Sequence, residues 1–98
     1  MHARVSLYEI ASGGSADAAV KAFEGAVDQV REMEGNQGAT FLVDRGNGKA
    51  ISITYWDSEE HLQSTVDQAN KVRQGAADAG GLSILSVDHY EVALEIGH

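Results

Sequence analysis

The amino-acid sequence predicts an α+β fold of one domain, with strands and helices in the order βαββαβ. Three observations support this prediction. The spacing of apolar residues alternates between a period of two and a period near 3.6 along the chain. Clusters of glycine, in a sequence with 11 glycines and no proline, mark the joints between these segments. The length of 98 residues, of which 43% are hydrophobic, supports one small core, so we expect a single domain over residues 1–98.

The first strand is predicted over residues 4–10 because its side chains alternate between two faces. One face carries Val5 and Leu7, and the other carries Ser6, Tyr8 and Ile10. A first helix follows, with Ser15 as the predicted N-cap, and is expected to end near Met33, before the glycines of residues 35–38. Its apolar stripe consists of Ala16, Ala19, Val20, Phe23, Val27 and Val30.

Two strands are predicted over residues 39–45 and 49–56, joined by the Gly-Asn-Gly turn that a tight hairpin requires. A second helix should begin at Asp57 or Ser58 and end at Gly80. Its apolar face consists of Leu62, Thr65, Val66, Ala69, Val72 and Ala76. Residues 82–96 read as a last strand, which is longer than the usual five or six residues and apolar on both faces.

This order of elements is that of a ferredoxin-like fold, in which two helices cover one face of a four-stranded antiparallel sheet. The other face would present apolar side chains, whichever alternate set it carries, and is too apolar to remain in water. A second copy packed sheet to sheet is the simplest cover. We therefore expect a homodimer, a dimeric α/β barrel, in which the long last strand reaches onto the partner.

Charge and composition exclude several classes of partner. The net charge of −8 opposes binding to nucleic-acid phosphates, so we expect no nucleic-acid partner. No run approaches the roughly 18 apolar residues of a membrane span, so we expect no membrane partner. Cysteine is absent, which excludes disulfides and thiolate chemistry and favours a cytoplasmic location.

Residues 55–62, Tyr-Trp-Asp-Ser-Glu-Glu-His-Leu, resemble the junction between the third strand and second helix of the antibiotic biosynthesis monooxygenase family. The resemblance implies a dimeric α/β barrel with a cavity between sheet and helices in each subunit. It also implies a range of functions, because members oxidise aromatic polyketide-type substrates, degrade haem or have no known reaction. The leading hypothesis is an enzyme or ligand-binding protein of this type that binds a small aromatic or apolar molecule and, in its catalytic form, oxidises it without a cofactor.

Alternation in the third strand places Ser52, Thr54 and Trp56 on one face. If this face meets the helices, these residues, together with Ser6 and Tyr8 of the first strand, would line an aromatic pocket with a few hydrogen-bonding groups. In the alternative interpretation, Trp56 only seals the core beside the start of the second helix. The sequence leaves both interpretations open.

Arg73 lies near the centre of the apolar stripe of the second helix, where a guanidinium requires a partner. It could pair with Asp88 or Glu91, point into the cavity, or extend its head to solvent. The oxygenase branch of the resembled family uses a Trp, a Tyr, an Asn and an Arg, and this chain offers these residue types as Trp56, Tyr8 or Tyr55, Asn70 and Arg73. Trp56 and Arg73 are therefore the catalytic candidates, with Arg73 stabilising a developing enolate.

His61 is a candidate substrate contact at the edge of the second helix, although this position also suits a surface histidine, and His89 could face solvent. The chain lacks HExxH and a phosphate-binding GxGxxG, so we expect no metal and no cofactor. The haem-degrading branch uses a first-strand asparagine and a histidine about ten residues after the tryptophan, where this chain has Ser6 and Val66. The rival hypothesis is a non-catalytic sensing or interaction dimer with a side-chain-filled interior.

Overall fold

The computed structural model describes residues 1–97 and confirms the ferredoxin-like α+β fold. Its antiparallel sheet has the order β2-β3-β1-β4. The strands are β1 (His2–Ile10), β2 (Asn36–Asp44), β3 (Lys49–Trp56) and β4 (Leu82–Glu91). The helices are α1 (Ala16–Arg31), α2 (Glu59–Ser64) and α3 (Val66–Gly80).

Serine hydroxyls start both helical regions. The Ser15 Oγ accepts a hydrogen bond from the Ala18 N–H at 3.0 Å, as expected for an N-cap. At the second helical region the cap is Ser58 rather than Asp57, since its Oγ accepts from the His61 N–H at 3.1 Å. The two caps fix where α1 and α2 begin relative to the preceding strands.

The predicted second helix is two helices that meet at Thr65. The backbone of Thr65 has φ −98° and ψ 5°, and its hydroxyl donates to the His61 carbonyl at 2.8 Å. A threonine side chain that bonds to the preceding turn competes with the helical backbone pattern, which accounts for the break. The apolar spacing runs on through Thr65, so it gives no sign of the interruption.

The prediction that the last strand extends to Ile96 is wrong. The strand β4 ends at Glu91, which pairs with His2, the first residue of β1. One further backbone bond joins Val92 N–H to Met1 O at 2.9 Å. Residues 92–97 have no regular structure, and Leu94 and Ile96 are more than four-fifths exposed, at 83% and 81%.

The strand register separates the two faces of the sheet. The helix-covered face carries Tyr8 and Trp56, each the centre of one buried cluster. On the opposite face, Leu42, Ile51 and Leu7 form a row across three neighbouring strands. Within residues 1–97 no helix combines the length and apolar character needed to span a membrane.

Candidate functional site

A cavity of about 130 Å³ lies between the sheet and the helices. Its apolar walls come mainly from α1 and α3, and its polar groups come mainly from β1 and β3. Six of the residues predicted from sequence line it: Ser6, Tyr8, Ser52, Thr54, Trp56 and Arg73. The alternation in the strands places the first five of these residues on the helix side, as the pocket hypothesis requires, and Arg73 reaches the cavity from α3.

Trp56 both completes the core and forms one wall of the cavity. Its side chain is fully buried and packs with Met33, Leu62 and Ala69. The indole N–H donates to the Thr54 Oγ1 at 3.0 Å, so the ring is held in one orientation by its own strand. The two interpretations of Trp56 are thus compatible, since the residue seals the core and lines the cavity.

Tyr8 forms a second aromatic wall. It is 1% exposed, and its hydroxyl shares a hydrogen bond with the Ser52 Oγ at 2.8 Å. The Tyr8 ring meets the Phe23 ring edge-on with centroids 5.2 Å apart, and Phe23 stacks on Phe41 at 4.1 Å. These contacts join β1, α1 and β2 in one aromatic cluster, which gives the cavity a rigid apolar side.

Arg73 is 8% exposed, so its head does not extend to solvent. Among the described residues, it also forms no ion pair with Asp88 or Glu91. Its Nε donates to the Ser6 Oγ at 3.0 Å and its Nη1 to the Asn70 Oδ1 at 2.6 Å. Asp88 pairs with Val5 and therefore lies on the opposite face of the sheet. Burial lowers the pKa of Arg73, against an opposing effect of Tyr8.

Arg4 is a cavity-lining residue that the sequence analysis did not identify. It is 2% exposed and lies over the Trp56 ring, 5.0 Å from its centroid. Its Nη2 donates to the Leu62 carbonyl at 2.6 Å and to the Thr65 Oγ1 at 3.4 Å. Burial, followed by the charge of Arg73, lowers the pKa of Arg4 to about 10.

The alternation of side chains along β1 could have identified Arg4 as a cavity-lining residue. It has the same parity in β1 as Ser6 and Tyr8, so the alternation that places those residues on the helix side places Arg4 there as well. Its charge makes a buried position unexpected, because arginine is rarely buried without a partner.

His89 contributes a neutral imidazole next to Arg4. The Arg4 Nε donates to the His89 Nε2 at 3.3 Å, so this ring nitrogen acts as the acceptor. Partial burial and then the charges of Arg4 and Arg73 lower the pKa of His89, while Asp88 opposes this effect. The histidine therefore faces the guanidinium as an acceptor.

His61 and Asn70 do not line the cavity. His61 lies at the junction before α2, with Nδ1 2.6 Å from the Asp57 carboxylate and Nε2 3.3 Å from the Glu34 carboxylate. The Asp57 hydrogen bond is the main cause that raises the pKa of His61. Asn70 is exposed and acts on the cavity only through its bond to Arg73.

A family model described as antibiotic biosynthesis monooxygenase matches residues 1–79. The chain belongs to this family. The match includes Arg4, Trp56 and Arg73, and it ends just before β4. A search of the curated proteins found no match.

Solved structures share the fold of this family member at low sequence identity. MhuD, a haem degrader from Mycobacterium tuberculosis solved with two haems in its active site, has a TM-score of 0.76, 21% identity and coverage of 99% of this chain and 100% of its own. SnoaB, a cofactor-independent oxygenase from Streptomyces nogalater, has a TM-score of 0.75, 10% identity and coverage of 99% and 97%. A protein from Deinococcus radiodurans, described as a putative antibiotic biosynthesis monooxygenase, has a TM-score of 0.69, 14% identity and coverage of 100% and 98%.

Proposed function

We propose that this family member binds a small aromatic molecule in the cavity and oxidises it with molecular oxygen, without a cofactor. The observation that carries the proposal is a buried guanidinium, Arg73, in a cavity that also has Trp56 and Tyr8 as walls. Membership of the family supports an oxygenase activity, and the description of SnoaB as a cofactor-independent oxygenase is consistent with it.

The size of the cavity selects the substrate. A volume of about 130 Å³ is close to the roughly 150 Å³ of an engineered apolar cavity that binds benzene. We therefore propose that one aromatic ring enters and packs between Trp56 and Tyr8. The Ser52 and Thr54 hydroxyls, which already bond to these two aromatic residues, would orient a polar substituent of the ring.

An electron-rich phenol can react with oxygen without an external reductant. Its phenolate carbon attacks O₂ to form a C–O bond and a peroxide, and cleavage of the O–O bond then leaves a quinone and water. One oxygen atom enters the product and the other enters water, and the ring supplies all four electrons. Arg73 would stabilise the phenolate and the peroxide anion, since a preorganised charge in a dry site acts strongly on a developing anion.

The absence of a base among the described cavity residues limits how acidic the substrate must be. The cavity-lining side chains within residues 1–97 include no carboxylate and no imidazole. We therefore propose a phenol that ionises readily and loses its proton to water, with the arginines favouring the ionised form.

The residues present do not fit haem, the group bound by MhuD. Proteins hold haem iron with His, Cys, Met or Tyr. Of the described lining residues none is a histidine or cysteine, Met33 packs against Trp56, and the Tyr8 hydroxyl bonds to Ser52. A porphyrin is also several times larger than a ring of benzene size.

Oxygen uptake with monocyclic quinols tests the proposal, and hydroxyanthrones, which have three fused rings, test the limit of one ring. Arg73→Met should lower kcat by about a hundredfold, as expected when an anion-stabilising donor is lost. Trp56→Phe should also lower turnover because it removes part of the cavity wall. Arg45→Met is the matched control, since Arg45 lies at the surface in an ion pair with Asp17. Turnover that is absent in the wild type or unchanged in both cavity variants would rule out the oxygenase.

A binding protein without catalysis is the second candidate, and the lack of an acid–base pair among the described lining residues favours it. It predicts that aromatic molecules bind without oxygen consumption. Binding and oxygen uptake measured on the same preparation therefore distinguish the two functions.

We also propose that the protein is a homodimer that packs through the outer face of the sheet. On this face Leu7, Leu42, Leu85 and Tyr90 are 37–54% exposed. Leu94 and Ile96 extend the apolar surface beyond β4 and could contact the partner. Burial of these side chains would stabilise both copies. The single-domain organisation and the cytoplasmic location stay predictions.

A further inference from the structure

We infer that the ligand binds as an anion, with a carboxylate or phenolate oxygen held by the Arg4 guanidinium, whose buried Nη1 has no hydrogen-bond partner among the described residues. The inference rests on the proposed ligand-binding function and adds to it a second anchoring residue and the place where the anionic oxygen binds. Arg4 and Arg73 both line the cavity, at 2% and 8% exposure.

The two guanidiniums have no anionic partner among residues 1–97. The ion pairs in this part of the chain lie elsewhere and involve Arg31, Arg45 and His61. Buried charges are normally paired, because the transfer of an isolated charge out of water costs several kcal/mol. The positive charges of Arg4 and Arg73 are therefore buried without a neutralising anion among the described residues.

One nitrogen shows where the missing partner would bind. The Nε and Nη2 of Arg4 are satisfied by neutral acceptors on His89, Leu62 and Thr65. Its Nη1 is buried and has no hydrogen-bond partner within the described chain. An unmade bond of a buried charged group is costly, and an anionic oxygen would supply both the bond and the charge.

The first strand, β1, brings Arg73 close to Arg4. Arg4 and Ser6 are two residues apart on the same face of β1, and Arg73 Nε bonds to Ser6. The depressed pKa of Arg4, for which the charge of Arg73 is one cause, agrees with this proximity. An oxygen bound beside Arg4 would therefore interact with both positive charges.

Non-specific attraction of anions does not account for the arrangement. The chain has a net charge of −8, so its overall field repels them. The cationic pair is a local exception within an acidic protein, and it lies next to a space for one aromatic ring. A monocyclic aromatic carboxylate or phenolate matches both features.

The fluorescence of Trp56 provides the measurement, because it is the sole tryptophan of the chain and lines the cavity. Wild-type protein is titrated with benzoate, with its neutral amide benzamide and with toluene. Benzoate should bind about ten- to a hundredfold more tightly than benzamide, the range expected for a charge-assisted bond. In a separate arm, the absorbance of 4-nitrophenol should show a lowered pKa on binding, which tests the phenolate as the source of the anion.

Arg4→Met should abolish the preference for benzoate over benzamide, and Arg4→Lys should retain part of it. Arg31→Met is the matched control, since the Arg31 side chain is 73% exposed and its ion pair among residues 1–97 is with Asp28. It should leave both affinities unchanged. The comparison of benzoate with benzamide in the wild type remains decisive if Arg4→Met does not fold.

Two failures are distinguishable. If toluene and benzamide bind as tightly as benzoate and the pKa of 4-nitrophenol is unchanged, the cavity accepts neutral molecules and the anion inference is wrong. If none of the four probes binds, the proposed function itself fails. A benzoate preference that persists in Arg4→Met would also overturn the role of Arg4.

Discussion

At the scale of single residues, Ser6 is the contact that joins the arginine of α3 to the sheet. It is 2% exposed, and its Oγ accepts from Arg73 Nε at 3.0 Å. The partners of Arg73 are a hydroxyl and an amide rather than a carboxylate. Removal of the Arg73 charge therefore leaves neutral groups without a hydrogen-bond partner. This lowers the free energy of unfolding less than leaving a buried ion unpaired would.

We expect Arg73→Met to lower the free energy of unfolding by about 1–2 kcal/mol, since methionine replaces the packed stem but leaves the Ser6 hydroxyl unpaired. Adding Ser6→Ala to this variant should restore part of the loss, because the unpaired hydroxyl is then absent. Urea unfolding at a fixed protein concentration is measured for Arg73→Met, for Ser6→Ala alone and for the double variant. A loss of about 3–5 kcal/mol would instead indicate a buried ion pair, and additive effects of the two substitutions would show that the bond contributes nothing.

Residue parity in the strands predicts much of the site. Ser6, Tyr8, Ser52, Thr54 and Trp56 share one face because side chains alternate with a period of two. The partners of each side chain could not be predicted in this way, since the bond from Arg73 to Ser6 spans 67 residues. Such contacts depend on how α3 lies across the sheet, and local periodicity carries no information about that.

At the scale of elements, the break between α2 and α3 has a direct effect on the site. It leaves the Leu62 carbonyl without a continuing helix, and this oxygen accepts from Arg4 Nη2 at 2.6 Å. The C-terminal end of a helix carries partial negative charge, which favours a nearby cation. The break thus offers Arg4 a partial electrostatic partner, although the apolar pattern predicted one continuous helix.

A second element-level contact is the clamp of His61 between Asp57 and Glu34, which ties the turn after α1 to the start of α2. The turn approaches so closely that a side chain at Gly35, where φ is +83°, would collide with the imidazole. The pKa of His61 is raised, chiefly by Asp57, and that of Asp57 is lowered, chiefly by His61. Both shifts favour the charged pair, a protonated His61 next to an ionised Asp57.

The pH dependence of this clamp follows from the two shifts. A raised His61 pKa gives stability that is fully present below the unfolded value and is lost as pH rises through the folded pKa. A lowered Asp57 pKa gives stability that is lost only as pH falls through its folded pKa. We expect His61→Gln to lower the urea midpoint more at about pH 5.5 than at about pH 9.

The control for this prediction is Gln63→Ala, an exposed change in the same helix with no ionisable group. Its effect on the midpoint should be the same at both pH values. An equal effect of His61→Gln at the two pH values would show that protonation of His61 does not stabilise the junction.

At the scale of the whole molecule, the sheet has one covered and one uncovered face. The pattern of alternation predicted both, because two helices can cover only one side of four strands. The pattern of alternation could not predict where β4 ends. Residues 82–96 read as strand throughout because apolar side chains recur on both faces, but strand length depends on the partner strand, and β4 ends at Glu91, which pairs with His2, the first residue of β1.

The uncovered face leads to the last prediction, which concerns assembly. Leu42, Ile51 and Leu7 lie in one row, and the exposure of Leu42 is 47%. Light scattering at micromolar concentration should give about twice the chain mass of 10.4 kDa. Leu42→Glu places a charge in the proposed interface and should shift the protein to the monomer, because an unpaired charge buried between two sheets is strongly unfavourable. Ala79→Glu adds the same charge on the exposed side of α3 and should leave the dimer intact. A wild-type protein that scatters as a stable monomer, or a dimer indifferent to Leu42→Glu, would show that this face does not form the interface.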